Sequence, residues 1–285
     1  MTYPNPSALV STEWLADRLD APDVRIVDAS WYLPAMNRDA AAEYGDAHIP
    51  GAVFFDIDEI SDAESPYPHM LPSPAKFSSR VRKLGLGDGN RIVVYDGAGI
   101  FSAPRVWWMF RYFGHHDIAV LDGGMPKWLA EGRSTEFLPP MPQERHFTPR
   151  IDNTIAKDLS QMQRIVTQGN RQIADARSFD RFTGEAKEPR PGLPSGHLPG
   201  SVNLPFQKLH DSEAGTMLPA DDLRAAFEAS GIDLSRPVIT TCGSGVSACT
   251  LALGLHLLGH KDVAVYDGSW SEWAAQESAP IATGA

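Results

Sequence analysis

The sequence has few cysteines and no long hydrophobic run. Its 285 residues include only Cys242 and Cys249, too few for the disulfide framework of a secreted domain and in keeping with a reducing compartment. No apolar stretch approaches the ~20 residues that span a bilayer. Residues 1–20 lack the basic segment followed by an apolar segment that marks a signal peptide. The sequence therefore predicts a cytoplasmic protein.

Positive charge is also scarce. The chain has 25 Lys and Arg residues against 36 Asp and Glu residues, a formal net charge of −11 at pH 7. Such a surface does not attract nucleic acid or an anionic membrane, although a few converging arginines can still bind a small anion. The sequence also has no His and Cys cluster at metal-ligand spacing. We therefore predict no nucleic-acid or membrane partner and no metal or other cofactor.

Three motifs occur twice, in the same order. The pairs are HIPGA (48–52) with HLPGS (197–201), VVYDGAG (93–99) with ITTCGSG (239–245), and FGHHDIAVLDGG (113–124) with LGHKDVAVYDGS (258–269). Their separations of 149, 146 and 145 residues are nearly constant, which indicates a duplicated domain. We predict a first domain at 1–138, a proline-rich linker at 139–153 and a second domain at 154–285.

Each copy alternates short apolar runs with segments of helical periodicity. Residues 25–29, 91–96 and 118–123 are apolar enough to be strands buried on both faces. Strand–helix alternation predicts an α/β fold in which a parallel sheet is flanked by helices. Ligands of such folds bind at the carboxyl ends of the strands. Cys242 is predicted to lie at such an end, and Asp96 is its counterpart in the first copy.

The loop CGSGVSA at 242–248 is compatible with three kinds of site. Gly243, Gly245 and Ala248 fit the G-x-G-x-x-A pattern of a dinucleotide loop, but too little chain follows to complete a dinucleotide domain. A cysteine phosphatase needs an arginine six residues after the cysteine to grip phosphate. That position is Ala248, and no basic residue lies between Cys242 and His256. Both of these sites are disfavoured.

The third kind of site is a thiol nucleophile in a nest of backbone amides. Gly243 and Gly245 let the loop curl, and Ser244 and Ser247 add hydroxyls. Successive N–H groups and the N-terminus of the next helix stabilise a thiolate or a persulfide anion. From the loop alone, a merely buried Cys242 is an equally good interpretation.

Several motifs together resemble a known family, the two-domain rhodanese-like sulfurtransferases, and within it the 3-mercaptopyruvate type. The similar segments are EYGDAHIPGAVFFD (43–56), SAPRVWWMFRYFGH (102–115), EPRPGLPSGHLPGSVNLPF (188–206), CGSGVSA (242–248) and VYDGSWSEW (265–273). The resemblance implies two small α/β domains with the active site between them. It also implies that only the second domain carries a catalytic cysteine, which fits Asp96 in the first copy.

The resemblance also implies a substrate-binding set. Thiosulfate-preferring relatives place basic residues after the cysteine, whereas Gly243 and Ser244 here are neutral and resemble the mercaptopyruvate type. Arg181 and Arg190 are expected to bind the carboxylate and keto group of the substrate, since a planar guanidinium matches a carboxylate. The loop residues expected to bind substrate with them are Gly243, Gly245, Val246, Ser247 and Ala248.

The implied catalytic set is Cys242 with a relay of Asp58, His69 and Ser244. The Asp orients the imidazole, the His takes or shares a proton, and the serine hydroxyl carries it near the substrate thiol. The expected reaction is ping-pong: 3-mercaptopyruvate passes its sulfur to Cys242 and releases pyruvate. The persulfide then passes sulfur to cyanide, a small thiol or thioredoxin. A thiosulfate sulfurtransferase and a non-catalytic sulfur-binding regulatory module remain the alternatives.

A few further residues carry weaker expectations. His48 and His197 occupy the same place in the two copies, which indicates a structural turn. Cys249 follows Cys242 by two helical turns, beyond disulfide reach, so it is expected to serve packing. Trp31 and Trp270 are expected to line the cleft.

Overall fold

A computed structural model describes residues 2–284 as two five-stranded parallel sheets. The first contains β1 (Leu9–Val10), β2 (Val24–Asp28), β3 (Ala52–Phe54), β4 (Arg91–Tyr95) and β5 (Ile118–Leu121). The second contains β6 (Ala156–Lys157), β7 (Gln172–Asp175), β8 (Ser201–Asn203), β9 (Val238–Thr241) and β10 (Val263–Tyr266). The strand orders, β1-β5-β4-β2-β3 and β6-β10-β9-β7-β8, are equivalent. The predicted tandem α/β architecture is confirmed.

Helices cover both faces of each sheet. Those of the first half are α1 (Thr12–Ala16), α2 (Ala40–Asp46), α3 (Pro74–Lys83), α4 (Ala103–Tyr112) and α5 (Gly124–Ala130). Those of the second half are α6 (Leu159–Gln168), α7 (Phe179–Thr183), α8 (Ala220–Ala229), α9 (Ala248–Leu257) and α10 (Ser269–Trp273). Serine or aspartate side chains cap α1, α2, α3 and α6 by accepting amides of the first turn, which ends the preceding loop at a defined residue.

The central strands carry the polar residues that matter for function at their carboxyl ends. In the second sheet β7 pairs with β9 so that Asp175 lies opposite Thr241, and the sheet order reverses between these two strands. Cys242 follows β9 directly and Arg177 follows β7 after one residue. Both therefore lie at the topological switch point, where parallel sheets bind ligands.

The two halves are joined by a continuous apolar core. Helix α4 packs against α9 across the domain interface, and nearly every side chain of both helices is buried. A helix that is apolar on all sides must be covered on all sides. The largest core cluster accordingly includes Phe110 and Trp108 from the first half with Leu251 and Leu255 from the second.

The segment between the domains contains no helix or strand from 138 to 152. The predicted boundaries at 138 and 154 stay a prediction. Among the described residues, no helix is both long enough and apolar enough to cross a bilayer.

Candidate active site

The loop after Cys242 is held from outside by α10. The carbonyl of Cys242 accepts the amide of Trp270 at 2.9 Å, and the carbonyl of Gly243 accepts the amide and hydroxyl of Ser271 at 3.0 and 2.6 Å. The amide of Cys242 donates to the hydroxyl of Ser269 at 3.2 Å. Because the loop carbonyls are bound to α10, the loop is fixed with its following amides unused.

These unused amides form what we call the amide cradle, the backbone N–H groups of residues 244–248. No hydrogen bond within residues 2–284 involves any of them. They lie between Cys242 and the first turn of α9, where the helix dipole also favours negative charge. Successive free N–H groups of this kind bind anions, so the cradle can stabilise a thiolate or a persulfide.

The first copy shows what such a cradle binds. Oδ2 of Asp96 accepts the amides of Phe101, Ser102 and Ala103 at 2.8–2.9 Å, and its Oδ1 accepts the amide of Ala98 at 2.9 Å. At the repeat offset of 146 residues, the amides of Phe101 and Ser102 correspond to those of Ser247 and Ala248. The first copy has therefore filled its own cradle with a carboxylate, and only the second cradle is available.

Asp58, His69 and Ser244 come together across the domain interface. Nε2 of His69 lies 2.9 Å from Oδ1 of Asp58, and Nδ1 lies 2.9 Å from the hydroxyl oxygen of Ser244. With Nε2–H donating to the carboxylate, Nδ1 is the acceptor of the serine proton. The same hydroxyl oxygen accepts Nη2–H of Arg190 at 3.2 Å. Each donor group in this series of hydrogen bonds therefore has one acceptor.

The two arginines differ in their charge partners. Arg181 donates Nη2–H and Nε–H to the two oxygens of Glu188 at 2.6 and 3.2 Å, and Glu188 also pairs with Arg177. Within residues 2–284, Arg190 forms no ion pair with a carboxylate. Arg190 therefore offers a positive charge that no carboxylate balances, next to Ser244. Arg181 also offers hydrogen bonds, but its positive charge is balanced by Glu188.

A side chain at position 243 would crowd Arg181. A Cβ placed on Gly243 lies 3.0 Å from Nη2 of Arg181, so the guanidinium would have to shift by a few tenths of an ångström. Glycine here lets the guanidinium reach the loop that carries Cys242 and Ser244.

Comparison with known proteins agrees with this geometry. The family model described as a rhodanese-like domain matches residues 11–131 and again 158–276. The chain belongs to the rhodanese-like family.

Individual rhodanese-like relatives carry both donor names. A thiosulfate/3-mercaptopyruvate sulfurtransferase of Arabidopsis thaliana, named as mitochondrial, is 44% identical over 96% of this chain and 77% of its own length. A thiosulfate sulfurtransferase of Bos taurus is 46% identical over 93% of this chain and 91% of its own. The solved structure of the 3-mercaptopyruvate sulfotransferase SseA of Escherichia coli matches with a TM-score of 0.85 at 37% identity, covering 92% and 98% of the two chains. Overall sequence identity to these relatives therefore does not distinguish 3-mercaptopyruvate from thiosulfate as the sulfur donor.

The pKa shifts of residues in and near this rhodanese-like site follow from their burial and their contacts. The hydrogen bond from His69 is the largest cause that lowers the pKa of Asp58, with help from the indole N–H of Trp31 and the charge of Arg190. Burial lowers the pKa of Arg190, and the neighbouring Cys242 opposes that effect. Burial raises the pKa of Cys249 well above its ordinary value, so that thiol is a poor nucleophile.

The expectations for the tryptophans are half right. Trp31 donates its indole N–H to Oδ2 of Asp58 at 3.1 Å and stands edge-on to the ring of His69, with centroids 4.7 Å apart. Trp270 is fully buried in the second core, where its N–H donates to the carbonyl of Pro194. The expectation that Trp270 lines the cleft is wrong, because its ring is fully buried in a core cluster with Ile239 and Tyr266.

The repeated histidines make repeated contacts. The ring of His48 stacks on Tyr44 and that of His197 stacks on Phe182, and each Nδ1 meets the carbonyl of its stacking partner. This contact stabilises the same turn in both copies of the domain, and it lies outside the relay.

Sequence reasoning missed Glu188 and Arg105. Glu188 lies between the two predicted arginines, and its spacing to Arg181 was the only available signal. Arg105 is one of two arginines in a mostly apolar helix and is flanked by apolar residues, a pattern typical of a buried ion pair. Among the described residues, no group of three or more His, Cys, Asp or Glu is arranged to hold a metal ion.

Proposed function

We propose that this chain is a sulfurtransferase that takes sulfur from 3-mercaptopyruvate onto Cys242 and releases pyruvate. The observation that carries the proposal is the placement of Ser244, whose hydroxyl contacts both His69 and Arg190 two residues after the cysteine. The free amide cradle beside Cys242 supports the same chemistry, because it stabilises the anion of a persulfide.

In the first half-reaction the thiolate of Cys242 attacks the sulfur of the donor. The S–S bond forms as the C–S bond of the donor breaks, and the electron pair passes to the methylene carbon, where the adjacent keto group stabilises it as an enolate. The thiol proton of the donor passes by Ser244 to His69 and returns to this carbon, so the products are pyruvate and the Cys242 persulfide anion. Asp58 stabilises the imidazolium formed in between.

This relay distinguishes the two candidate donors. 3-Mercaptopyruvate carries a thiol proton that must leave sulfur and reach carbon. Thiosulfate carries no such proton at neutral pH and leaves as sulfite, so Ser244 and His69 have no proton to move for it. The relay therefore favours the mercaptopyruvate donor.

Arg190 and Arg181 have separate tasks in this scheme. Arg190, without a carboxylate partner, binds the carboxylate of the donor, because a charge-assisted hydrogen bond is strongest where the charge is not already neutralised. Arg181, paired with Glu188, donates to the keto oxygen as negative charge develops there.

The second half-reaction transfers the outer sulfur to an acceptor. Cyanide takes it to give thiocyanate and the free thiolate; a small thiol or reduced thioredoxin takes it to give a persulfide of the acceptor. Cys242 is only 2% exposed. This burial supports acceptors that are small or that present a protruding thiol.

The test compares pyruvate release from 3-mercaptopyruvate with sulfite release from thiosulfate. We expect a higher kcat/KM for 3-mercaptopyruvate, and mass spectrometry of donor-treated protein should show one added sulfur on Cys242. Cys242→Ser should lose both activities. Cys249→Ser, which removes the other thiol, is the matched control and should retain them.

Three outcomes contradict the proposal. A higher kcat/KM with thiosulfate assigns the chain to the thiosulfate type, which the relative from Bos taurus makes the nearest alternative. Turnover that survives Cys242→Ser shows that Cys242 is not the sulfur carrier. A Cys242 that acquires no sulfur from either donor indicates a regulatory module without sulfur transfer.

A cytoplasmic location is part of the proposal. Both cysteines are unpaired thiols, as a reducing compartment requires, although the Arabidopsis thaliana relative is named as mitochondrial. Immunodetection after cell fractionation tests it, and enrichment in an organelle fraction contradicts it.

A further inference from the structure

Arg105 is a buried cation that reaches from the first domain into the second. It belongs to α4, and its side chain has no exposed surface. Its Nη2 lies 2.7 Å from Oδ1 of Asp267 and donates to the carbonyl of His69. Its Nη1 donates to the carbonyl of Gly245 at 3.4 Å. One guanidinium therefore contacts the relay segment and the cysteine loop together.

Asp267, the ion-pair partner of Arg105, also contacts the segment that carries His69. It follows β10 in the second domain, and its Oδ2 accepts the amide of Leu71 at 2.8 Å. The pair Arg105–Asp267 thus holds the carbonyl of His69 and the amide two residues later. His69 has a φ of 62°, a left-handed backbone that a histidine adopts only where its surroundings hold it.

The cysteine loop is fixed to the same pair. Gly245 has a φ of 78°, and a Cβ there lies 2.7 Å from the carbonyl oxygen of Asp267. The carbonyl of Gly245 also accepts the thiol of Cys249 at 3.2 Å. Ser244 precedes this anchored residue, so both partners of the His69–Ser244 hydrogen bond are positioned against one guanidinium.

We propose that Arg105 is a positioning residue for sulfur transfer, which sets the distance between His69 and Ser244 without touching the donor. This inference rests on the proposed function, since it requires that the relay moves a proton. The planar guanidinium suits the task because it donates to two carbonyls and pairs with one carboxylate in fixed directions. The ammonium of a lysine, on a flexible chain, cannot hold all three in place.

The test is a double-mutant cycle on pyruvate release. Arg105→Met should lower kcat by about 100-fold with KM changed by less than about threefold, since a misplaced relay slows chemistry more than binding. In a His69→Ala background, the same substitution should lower kcat by less than about twofold, because the group it positions is already gone. Its pH profile of kcat should take the shape of the His69→Ala profile. Arg105→Lys should recover part of the rate.

Controls separate positioning from folding. Arg111→Met alters a half-buried arginine on the same helix, stacked on Trp107, and should leave kcat and its pH profile unchanged. If Arg105→Met does not fold, Asp267→Asn retains an acceptor for Leu71 but removes the charge facing Arg105. It should lower kcat by about tenfold and show the same loss of effect in the His69→Ala background.

The outcomes are distinguishable. Additive effects of Arg105→Met and His69→Ala, or a lower rate with an unchanged pH profile, overturn the positioning role and leave the proposed function standing. A wild-type chain that releases no pyruvate from 3-mercaptopyruvate overturns the proposed function, and the inference with it.

Discussion

Nδ1 of His69 lies 2.9 Å from the hydroxyl oxygen of Ser244, although the two residues belong to different domains and are 175 positions apart. The contact is buried, with His69 4% and Ser244 5% exposed. It joins a relay that begins at the surface with Asp58 to the loop that carries Cys242. In the proposed mechanism, sulfur transfer therefore depends on how the two domains are packed together.

The first prediction concerns this contact. Ser244→Ala should lower kcat/KM for 3-mercaptopyruvate by ~100-fold, because it removes the group that carries the proton to His69. With thiosulfate the loss should be less than ~3-fold, since no proton moves. Steady-state kinetics with both donors measure the ratio. Equal losses with the two donors indicate that Ser244 shapes the loop and does not carry a proton.

The second prediction separates the two arginines. Arg190→Gln removes a charge that has no carboxylate partner and should raise KM for 3-mercaptopyruvate by ~10–100-fold, the value of one charge-assisted hydrogen bond. Arg181→Gln leaves Glu188 facing 3-mercaptopyruvate with only Arg177 as its partner. Repulsion between the two carboxylates then adds to the loss of the guanidinium hydrogen bonds. The double variant Arg181→Gln/Glu188→Gln should therefore bind the donor better than Arg181→Gln alone. Weaker binding by the double variant rules out this division of roles.

The third prediction concerns the filled cradle of the first copy. Asp96→Asn should lower the free energy of unfolding by ~2–3 kcal/mol, because an amide nitrogen replaces an oxygen that accepts several N–H groups. Urea denaturation followed by tryptophan fluorescence measures the change. Asp211→Asn, at an exposed turn acid that also accepts two amides, is the control and should have a smaller effect.

The same cradle yields a gain-of-function test. Asp96→Cys in a Cys242→Ser chain should show no pyruvate release, because the hydroxyl of Tyr32 and the guanidinium of Arg38 close over Gly97, at 2.0 and 3.2 Å from a Cβ placed there. Turnover by this variant indicates that the first domain still admits the donor.

The fourth prediction is a pH effect at the domain interface. Oδ1 of Asp122 accepts the amide of Met217 from the second domain at 2.8 Å, and burial raises the pKa of this carboxyl from 3.8 to about 6. The folded chain therefore holds this proton more tightly than the unfolded chain, and the contribution of this carboxyl to stability falls as the pH rises from about 4 to 6. Asp122→Asn should abolish that fall and raise Tm at pH 7 by ~2–4 °C, with no gain below pH 4.

Thermal unfolding between pH 4 and 7 measures this difference. The exposed Asp20→Asn removes the same formal charge and should leave the pH dependence as in the wild type. If the difference in Tm between the wild type and Asp122→Asn is the same at every pH in this interval, the role assigned to the carboxyl is contradicted.

The sequence by itself predicted the repeat, the parallel sheets and the strand end that carries Cys242. These follow from local pattern: buried parallel strands are apolar throughout, and the residues after them are polar or small. Trp270 shows where local pattern fails, because an aromatic residue in a signature motif packs into a core as readily as it lines a cleft.

The family resemblance named Asp58, His69 and Ser244 as a relay, and the tertiary structure decided that these residues, from two domains, lie within hydrogen-bond distance. Only the tertiary structure decided the choice of Arg190 over Arg181 as the cation without a carboxylate partner, because Glu188 pairs with Arg181. Arg105 gives no functional signal in sequence, because its charge is compensated by Asp267, 162 residues away. Local physics determines strands, helices and loop chemistry, whereas charge balance and proton paths depend on distances that exist only when the two domains are packed together.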